Sequence, residues 1–243
     1  MASRRNVEQM VREGRVAING KVVTQLPILV DADQDTIEVD GNPIESAPSK
    51  DARRLYILLN KPKHVYTTNV AQGEQTRAID LLPPNLPSRV YPVGRLDADS
   101  KGLLLLTNDG ELTNRLTHPR YGIAKTYRAV VDGFINPRAM ESLSRSVWLS
   151  DADTKAGSRA GRSRLKLVKR SRDITVLEIT IREGRNRQIR RMVAQVGYKV
   201  RELTRIKMGP LTLDGLSTGA FRHLTAREVA QLRKIADRAT SAE

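Results

Sequence analysis

Residues 91–112 read YPVGRLDADSKGLLLLTNDGEL and join a polar loop to a fully apolar segment. The pattern predicts a strand that ends at Val93, after which Gly94 lets the chain turn. Asp97 then lies on the loop that precedes a second strand at 103–107. A carboxylate held between two buried strands is positioned by rigid elements, as a catalytic group must be. This stretch therefore predicts a candidate reactive carboxylate, Asp97.

Asp97 and Asp99 also admit interpretations without a reactive carboxylate. Aspartate in a turn most often caps the loop backbone. Magnesium ligation by both aspartates is a second alternative, although no third carboxylate lies at a spacing that supports a magnesium site. A calcium loop is excluded, because its fifth position is Lys101 and its twelfth is Asn108, where a bidentate Glu belongs. The residues alone favour capping and leave magnesium open.

The composition bounds the function class. Lys and Arg number 42 against 27 Asp and Glu, a net charge of +15, which favours binding to nucleic acid or to an anionic membrane surface. No apolar run approaches the ~20 residues of a spanning helix, and no signal peptide opens the chain. The chain has no cysteine, which excludes thiolate metal sites, and its three scattered histidines disfavour a His-rich one. We expect a cytoplasmic, nucleic-acid-binding protein.

The chain divides into a first part at 1–46, a linker at 47–52, a second part at 53–238 and a flexible tail at 239–243. In the first part, a helix is predicted after the N-cap Ser3, and Gly14 ends it. VAINGKVV (16–23) predicts a tight hairpin, because Asn19-Gly20 tolerates the positive φ of its turn. A further strand is predicted at 36–39. The basic side chains expected to face outward from this part are Arg4, Arg5, Arg12, Arg15 and Lys21.

The second part mixes strands and helices without regular alternation, which predicts an α+β domain with a largely antiparallel sheet and flanking helices. The predicted strands are 56–59, 90–93, 103–107, 125–131 and 176–181. The predicted helices are 111–116, 137–143, 187–196 and 226–235. Residues 151–163, rich in Gly, Ser and Arg, predict a mobile basic loop.

The first part resembles a known RNA-binding module. SRRNVEQMVREGRVAINGKVV followed by DTIEVDGNPI is similar to the alpha-L module first named in a small-subunit ribosomal protein. The module normally begins with another helix, which would precede Ser3. The resemblance therefore implies a small α/β RNA-binding module without its first helix.

The second part resembles the pseudouridine synthases that modify ribosomal RNA. GRLDADSKGLLLLTNDGEL carries the family signature. LLNKPKHVYTT (58–68), HPRYGIAKTYRAVVDG (118–133) and ITIREGRNRQIRRMVAQVGYKVRELTRIKMGPLTL (179–213) match further family motifs in the same order. Among the subtypes, the sequence is most similar to the B-type large-subunit enzyme.

The resemblance assigns roles to individual residues. Asp97 falls on the essential catalytic aspartate, Tyr127 on the tyrosine that packs on the target uracil, and Arg185 on the arginine that pairs with the aspartate. Ile181 falls on an apolar position that lines the base pocket. Arg95 and Leu96, which directly precede the aspartate, are also expected to bind the base. Further residues expected to bind RNA in this part are Lys61, Lys125, Arg187, Gln188, Arg190 and Arg191.

The implied reaction isomerises uridine in ribosomal RNA, 23S rRNA of the large subunit being the expected target, without cofactor or metal. We expect a monomer. A non-catalytic rRNA-binding or assembly factor, a small-subunit (16S) rRNA enzyme and a magnesium-dependent enzyme using Asp97 and Asp99 are the alternatives. A reader of duplex DNA is disfavoured, since no helix-turn-helix pattern accompanies the basic charge.

Overall fold

The computed structural model describes residues 4–31, 34–44, 54–71, 73–145, 148–150, 157–159, 161 and 163–240. The chain forms two compact units, Met1–Arg53 and Arg54–Glu243, and each is described by itself. The linker predicted at 47–52 lies outside the described residues. Within the described ranges, no helix combines the length and the apolarity needed to cross a bilayer.

The first unit is a helix with a small antiparallel sheet. Its elements are α1 (Arg4–Arg12), β1 (Val16–Ile18), β2 (Lys21–Val23), β3 (Ile37–Val39) and β4 (Asn42–Pro43). The sheet order is β2-β1-β3-β4. Asn19 and Gly20 adopt φ values of 50° and 74°, so the chain makes the tight turn that the Asn-Gly pair favours. The predicted helix, hairpin and third strand are confirmed.

The second unit is built on one large sheet. Its strands are β5 (Tyr56–Lys61), β6 (Tyr91–Pro92), β7 (Lys101–Thr107), β8 (Lys125–Asp132), β9 (Trp148–Ser150), β10 (Gly157–Arg159), β11 (Arg164–Arg170), β12 (Ile174–Ile181), β13 (Val200–Met208), β14 (Leu211–Thr212) and β15 (Phe221–His223). Its helices are α2 (Gly110–Thr117), α3 (Pro137–Ser144), α4 (Gln188–Gln195) and α5 (Ala226–Thr240), with 3-10 turns at Ala78–Leu81 and Pro119–Tyr121.

The sheet order is β11-β12-β8-β13-β7-β5-β15, with β14 beside β13 and β6 beside β7. The recorded pair of β13 and β7 is parallel, whereas the other pairs are antiparallel. The predicted α+β class with a largely antiparallel, mixed sheet is therefore confirmed.

The apolar run of β7 is buried on both faces of the sheet. Leu104 and Leu106 belong to one hydrophobic core, and Leu103 and Leu105 belong to the other. Successive strand side chains point to opposite faces, so a run of four leucines supplies both cores at once. The polar loop before β7 is thereby fixed to the most buried part of the unit.

Several boundaries differ from the prediction. The strand predicted at 90–93 shrinks to β6, and helix α4 begins at Gln188, one residue later than predicted. Strands β11 and β13 were not predicted. Within the predicted loop at 151–163, residues 157–159 form β10, which pairs with β9, while 151–156, 160 and 162 lie outside the described residues. Helix α5 runs to Thr240, so the tail does not begin at 239, and 241–243 lie outside the described residues.

Candidate active site

A cleft of about 420 Å³ opens between the loop at 93–100, the start of β8, the end of β12 and the start of α4. The sequence-predicted catalytic and base-binding residues all line it, namely Arg95, Leu96, Asp97, Tyr127, Ile181 and Arg185. These residues are up to 90 positions apart in the chain. The sheet brings them together because β7, β13, β8 and β12 are successive neighbours.

The loop that carries Asp97 is held by the segment that follows β5. The Thr67 hydroxyl donates to the carbonyl oxygen of Leu96 at 2.8 Å, and the His64 amide donates to that of Ala98 at 2.7 Å. The Ser100 amide closes a turn on the carbonyl oxygen of Asp97 at 3.0 Å. The backbone on both sides of Asp97 is thus fixed before any ligand binds, as a preorganised site requires.

Arg187 bridges the two aspartates of this loop. Its Nη1 lies 3.8 Å from Oδ2 of Asp97, and its Nη2 donates to Oδ2 of Asp99 at 2.9 Å. The side chain of Asp97 is 35% exposed, which leaves its carboxylate open to the cleft. Arg187 adopts φ 48°, in the left-handed region that a non-glycine residue seldom occupies. This turn, at the N-terminus of α4, aims the guanidinium back at the loop.

Asp99 anchors α4 to the same loop. Arg190 Nη2 lies 3.3 Å from its carboxylate and 3.2 Å from its carbonyl oxygen. Burial acts to raise the pKa of Asp99, but the hydrogen bond from Arg187 and the positive charges of Arg190 and Arg187 outweigh it and hold the pKa below its ordinary value. Asp99 therefore stays ionised and keeps both arginines in place.

The predicted pairing of Arg185 with Asp97 stays a prediction. The arginine whose ion pair with Asp97 is observed in this structure is Arg187. Arg185 Nε instead lies 3.3 Å from Oε2 of Glu183. Gln188 locks this arrangement, because its side chain accepts from the Arg185 amide and donates to Glu183. The backbone conformation at the start of α4 places Arg187 beside Asp97.

Tyr127 and Ile181 form an apolar wall of the cleft. Tyr127 is 9% exposed on β8, and Ile181 is 3% exposed at the end of β12. Both also belong to the larger hydrophobic core, so their positions are set by packing. An aromatic ring fixed in this way presents a rigid face to a planar ligand.

The residues expected to bind RNA separate into exposed and buried groups. Arg12, Lys21 and Arg187 are exposed. Arg15 is also exposed, but Asp40 accepts two hydrogen bonds from it, at 2.8 and 2.6 Å, which neutralises its charge. Arg191 is partly exposed and donates to the Asn186 carbonyl oxygen at 3.4 Å. The side chains of Arg4 and Arg5 lie outside the described residues.

Three of the residues predicted to bind RNA have little or no exposed side-chain surface in this structure. Lys61 has no exposed surface, and its Nζ donates to the carbonyl oxygens of Pro62 and Val65 at 2.9 and 2.8 Å. Gln188 is 3% exposed inside the loop before α4. The side chain of Arg190 is only 14% exposed and holds the backbone of Asp99 and Val200. All three side chains hold the structure around the site, and their contacts with RNA stay predictions.

The cleft also contains a cationic side chain that was not predicted from the sequence as a site residue. Arg205 lines it and is 2% exposed, beside the predicted Lys125. Burial, together with the charge of Arg205, lowers the pKa of Lys125 to about 8. Arg205 lies on β13, two residues after the buried Leu203. The sequence carries no clear signal for it, because charged residues interrupt the apolar alternation of this strand.

The mixed sheet thus presents the carboxylate of Asp97 to a cleft walled by Tyr127 and Ile181, and the family comparisons identify the class of enzyme. The family model for RNA pseudouridylate synthase matches residues 55–195, and the S4 domain model matches residues 1–34. The first match spans more than half of the chain, which therefore belongs to the RNA pseudouridylate synthase family.

Individual relatives cover nearly the whole chain. Ribosomal large subunit pseudouridine synthase B of Bacillus subtilis is 41% identical over 244 residues, which is 100% of this chain and 95% of the relative. An uncharacterized RNA pseudouridine synthase of Aquifex aeolicus is 40% identical over 96% of this chain and 90% of its own length. A crystal structure of a pseudouridylate synthase superposes with a TM-score of 0.68 at 26% identity, covering 95% and 94% of the two chains.

Proposed function

We propose that this chain, acting as a monomer, isomerises uridine to pseudouridine in ribosomal RNA, specifically in the 23S rRNA of the large subunit. Asp97 is the catalytic carboxylate, and the reaction uses no cofactor or metal. The choice of RNA is supported by the Bacillus subtilis relative, which is named as a large-subunit enzyme and is similar over the full length of this chain.

The observation that carries the proposal is the setting of Asp97. Its carboxylate is open to the cleft, its backbone is clamped on both sides, and Arg187 provides a positive charge 3.8 Å away. A solvated capping aspartate would not need a tyrosine and an isoleucine on the opposite wall of its cleft.

The walls of the cleft can bind a base that has been extruded from a stacked RNA helix. The glycosidic bond and C5 of a uridine are inaccessible inside a helix, so the nucleotide must be extruded into a pocket. Tyr127 stacks on the uracil, an interaction worth roughly 1–3 kcal/mol in single-strand binding sites. Ile181 closes the pocket from the side. Asp97 promotes cleavage of the bond between ribose and N1, and the confined base rejoins the ribose through C5.

The exposed basic residues suit the RNA backbone. Arg187 stands at the mouth of the cleft, and Arg12 and Lys21 are exposed on the first unit. Each phosphate that such a residue neutralises releases counterions, so the affinity for RNA falls with added salt. Substituting Arg12 or Lys21 weakens RNA binding without altering the chemistry at Asp97.

The test is pseudouridine formation on unmodified 23S and 16S rRNA in the presence of a chelator, comparing wild type with Asp97→Asn. Asp132→Asn is the matched control, because Asp132 is similarly exposed at 39% and pairs with Arg201 outside the cleft. We expect activity on 23S rRNA in wild type and control and none in Asp97→Asn, with RNA affinity retained in all three.

Other outcomes point to the alternatives. Activity on 16S rRNA alone identifies a small-subunit enzyme, and loss of activity in chelator identifies a metal-dependent one. If wild type modifies neither naked RNA nor immature subunits but binds both, the chain is an assembly factor.

A further inference from the structure

The side chain of Arg205 is only partly satisfied inside the protein. Its Nε donates to the carbonyl oxygen of Leu103 at 2.7 Å, which fixes one edge of the guanidinium. Its Nη2 is buried and has no hydrogen-bond partner among the described residues. Leaving a buried charged donor unsatisfied costs stability, so a group retained in this state calls for a ligand or another explanation.

Arg205 is one of the residues that line the cleft. Arg205 lines the same cavity as Asp97, and on β13 it lies directly opposite Tyr127 of β8. Residues directly opposite on neighbouring strands share a face of the sheet. A planar base that stacks on Tyr127 therefore brings its edge towards the guanidinium of Arg205.

The charge around Arg205 is uncompensated. Lys125 lies in the same cleft, and the charge of Arg205 acts to lower its pKa. Within the described part of the chain, neither side chain forms an ion pair with a carboxylate. Two cations kept together at low exposure attract a ligand that is, or becomes, negatively charged.

The depth of Arg205 favours a base over a phosphate. At 2% exposure its guanidinium lies below the surface that a sugar-phosphate backbone follows. The exposed Arg187 already stands at the mouth of the cleft for such a contact. An extruded uracil enters deeper and carries two carbonyl oxygens on its edge, which accept hydrogen bonds.

We propose that Arg205 is a base-binding residue, whose Nη2 donates a hydrogen bond to a carbonyl oxygen of the target uracil and whose charge stabilises the base while it is detached from the ribose. This inference rests on the proposed function. When the bond between C1′ and N1 breaks, its electron pair stays on N1, and the negative charge spreads to O2 and O4. The base then bonds to C1′ through C5, the C5 proton leaves, and N1 takes up a proton. A donor placed at the oxygens binds the detached base more strongly than the starting uridine, which accelerates the reaction.

The experiment measures single-turnover tritium release from rRNA labelled at uridine C5, together with the affinity for the same RNA. Arg205→Gln removes the charge, and Arg205→Lys keeps the charge without a second donor edge. Arg128→Gln is the matched control, because Arg128 is on β8, its side chain is 51% exposed, and it pairs with Glu178 outside the cleft.

We expect Arg205→Gln to slow release by about 100-fold, the usual effect of losing one donor to a developing charge, with RNA affinity within about threefold of wild type. Arg205→Lys loses about tenfold or more, since its ammonium cannot serve both Leu103 and the base. The control stays within about threefold.

A folded Arg205→Gln protein with a rate within threefold of wild type overturns the inference. If thermal unfolding shows that this variant does not fold, Arg205→Lys decides, and a rate within threefold of wild type again overturns it. Failure of the proposed function has a different result, since wild type would then release no tritium or Asp97→Asn would remain active.

Discussion

Arg187 and Asp97 face each other across the mouth of the cleft, with Nη1 of the arginine 3.8 Å from Oδ2 of the aspartate. The contact depends on backbone geometry, because Arg187 adopts φ 48° and its other nitrogen is held by Asp99 at 2.9 Å. Asp99 thus positions the arginine, and the arginine sets the electrostatic surroundings of Asp97.

Arg187→Asn should slow pseudouridine formation without unfolding the protein. Asparagine tolerates the left-handed backbone at this position, so the substitution removes the charge and adds little strain. Losing the partner charge of Asp97 should lower the single-turnover rate by about tenfold or more, equivalent to ~1.4 kcal/mol of barrier. An unchanged rate in Arg187→Asn, combined with a large loss in Arg185→Gln, would show that Arg185 becomes the partner once RNA is bound.

Gly102→Ala should destabilise the second unit. Gly102 has φ +108°, and a Cβ there would come within 2.9 Å of the Arg205 amide nitrogen and would clash with its carbonyl group. Both backbones must shift, so we expect a loss of about 2 kcal/mol or more in thermal unfolding. Gly184→Ala is the control, because a Cβ at Gly184 meets nothing within 4 Å. Equal melting temperatures for the two variants would contradict the close approach of β7 and β13.

The elements with a clean pattern could be predicted from the sequence. Asn19-Gly20 predicts its hairpin because few other pairs accept two positive φ values. In β12, alternate residues such as Leu177, Ile179 and Ile181 are buried, and the period of two is visible in the sequence. The apolar run of β7 predicts burial on both faces. These features depend on local chemistry alone.

The remaining features depend on tertiary contacts. Strand β13 reads VRELTRIKM, where charged residues and two shifts in pairing conceal the alternation. Lys61 looks like a surface lysine, but it ends a strand that lies between two others in the sheet. The ion pair of Arg187 with Asp97 depends on a backbone angle that no spacing rule gives. Such residues need the fold before their roles can be assigned.

Tyr127 should act through its ring and not through its hydroxyl in RNA binding. Tyr127→Phe keeps the face of the ring, so its affinity for rRNA should stay within about threefold of wild type. Tyr127→Leu removes the face but fills much of the core, and it should lose roughly 1–3 kcal/mol of binding. Filter binding to unmodified rRNA checks this. Equal affinities for the Phe and Leu variants would mean that Tyr127 is a core residue without a stacking role.

Lys61 should make stability depend on pH in the alkaline range. Burial lowers its pKa to about 8, with a smaller contribution from the charge of Arg205, while the charges of Asp97 and Asp99 oppose the shift. The unfolded chain keeps the ordinary lysine pKa of about 10.4. Between about pH 8 and 10, the unfolded state therefore binds more protons than the folded state, and the free energy of unfolding rises with pH, by at most ~1.4 kcal/mol per pH unit for this group.

Lys61→Met removes this titration, so the stability of wild type relative to the variant should increase steadily from pH 8 to 10. Below pH 8 both states of wild type are protonated, and the difference should be constant there. Urea unfolding at pH 7, 8, 9 and 10 measures it, with Lys166→Met, at a side chain that is 75% exposed, as the matched control. Lys125 remains in both proteins, so its own titration cancels in the comparison. If the difference does not change with pH, Lys61 keeps its proton throughout, because its bonds to the carbonyl oxygens of Pro62 and Val65 outweigh its burial.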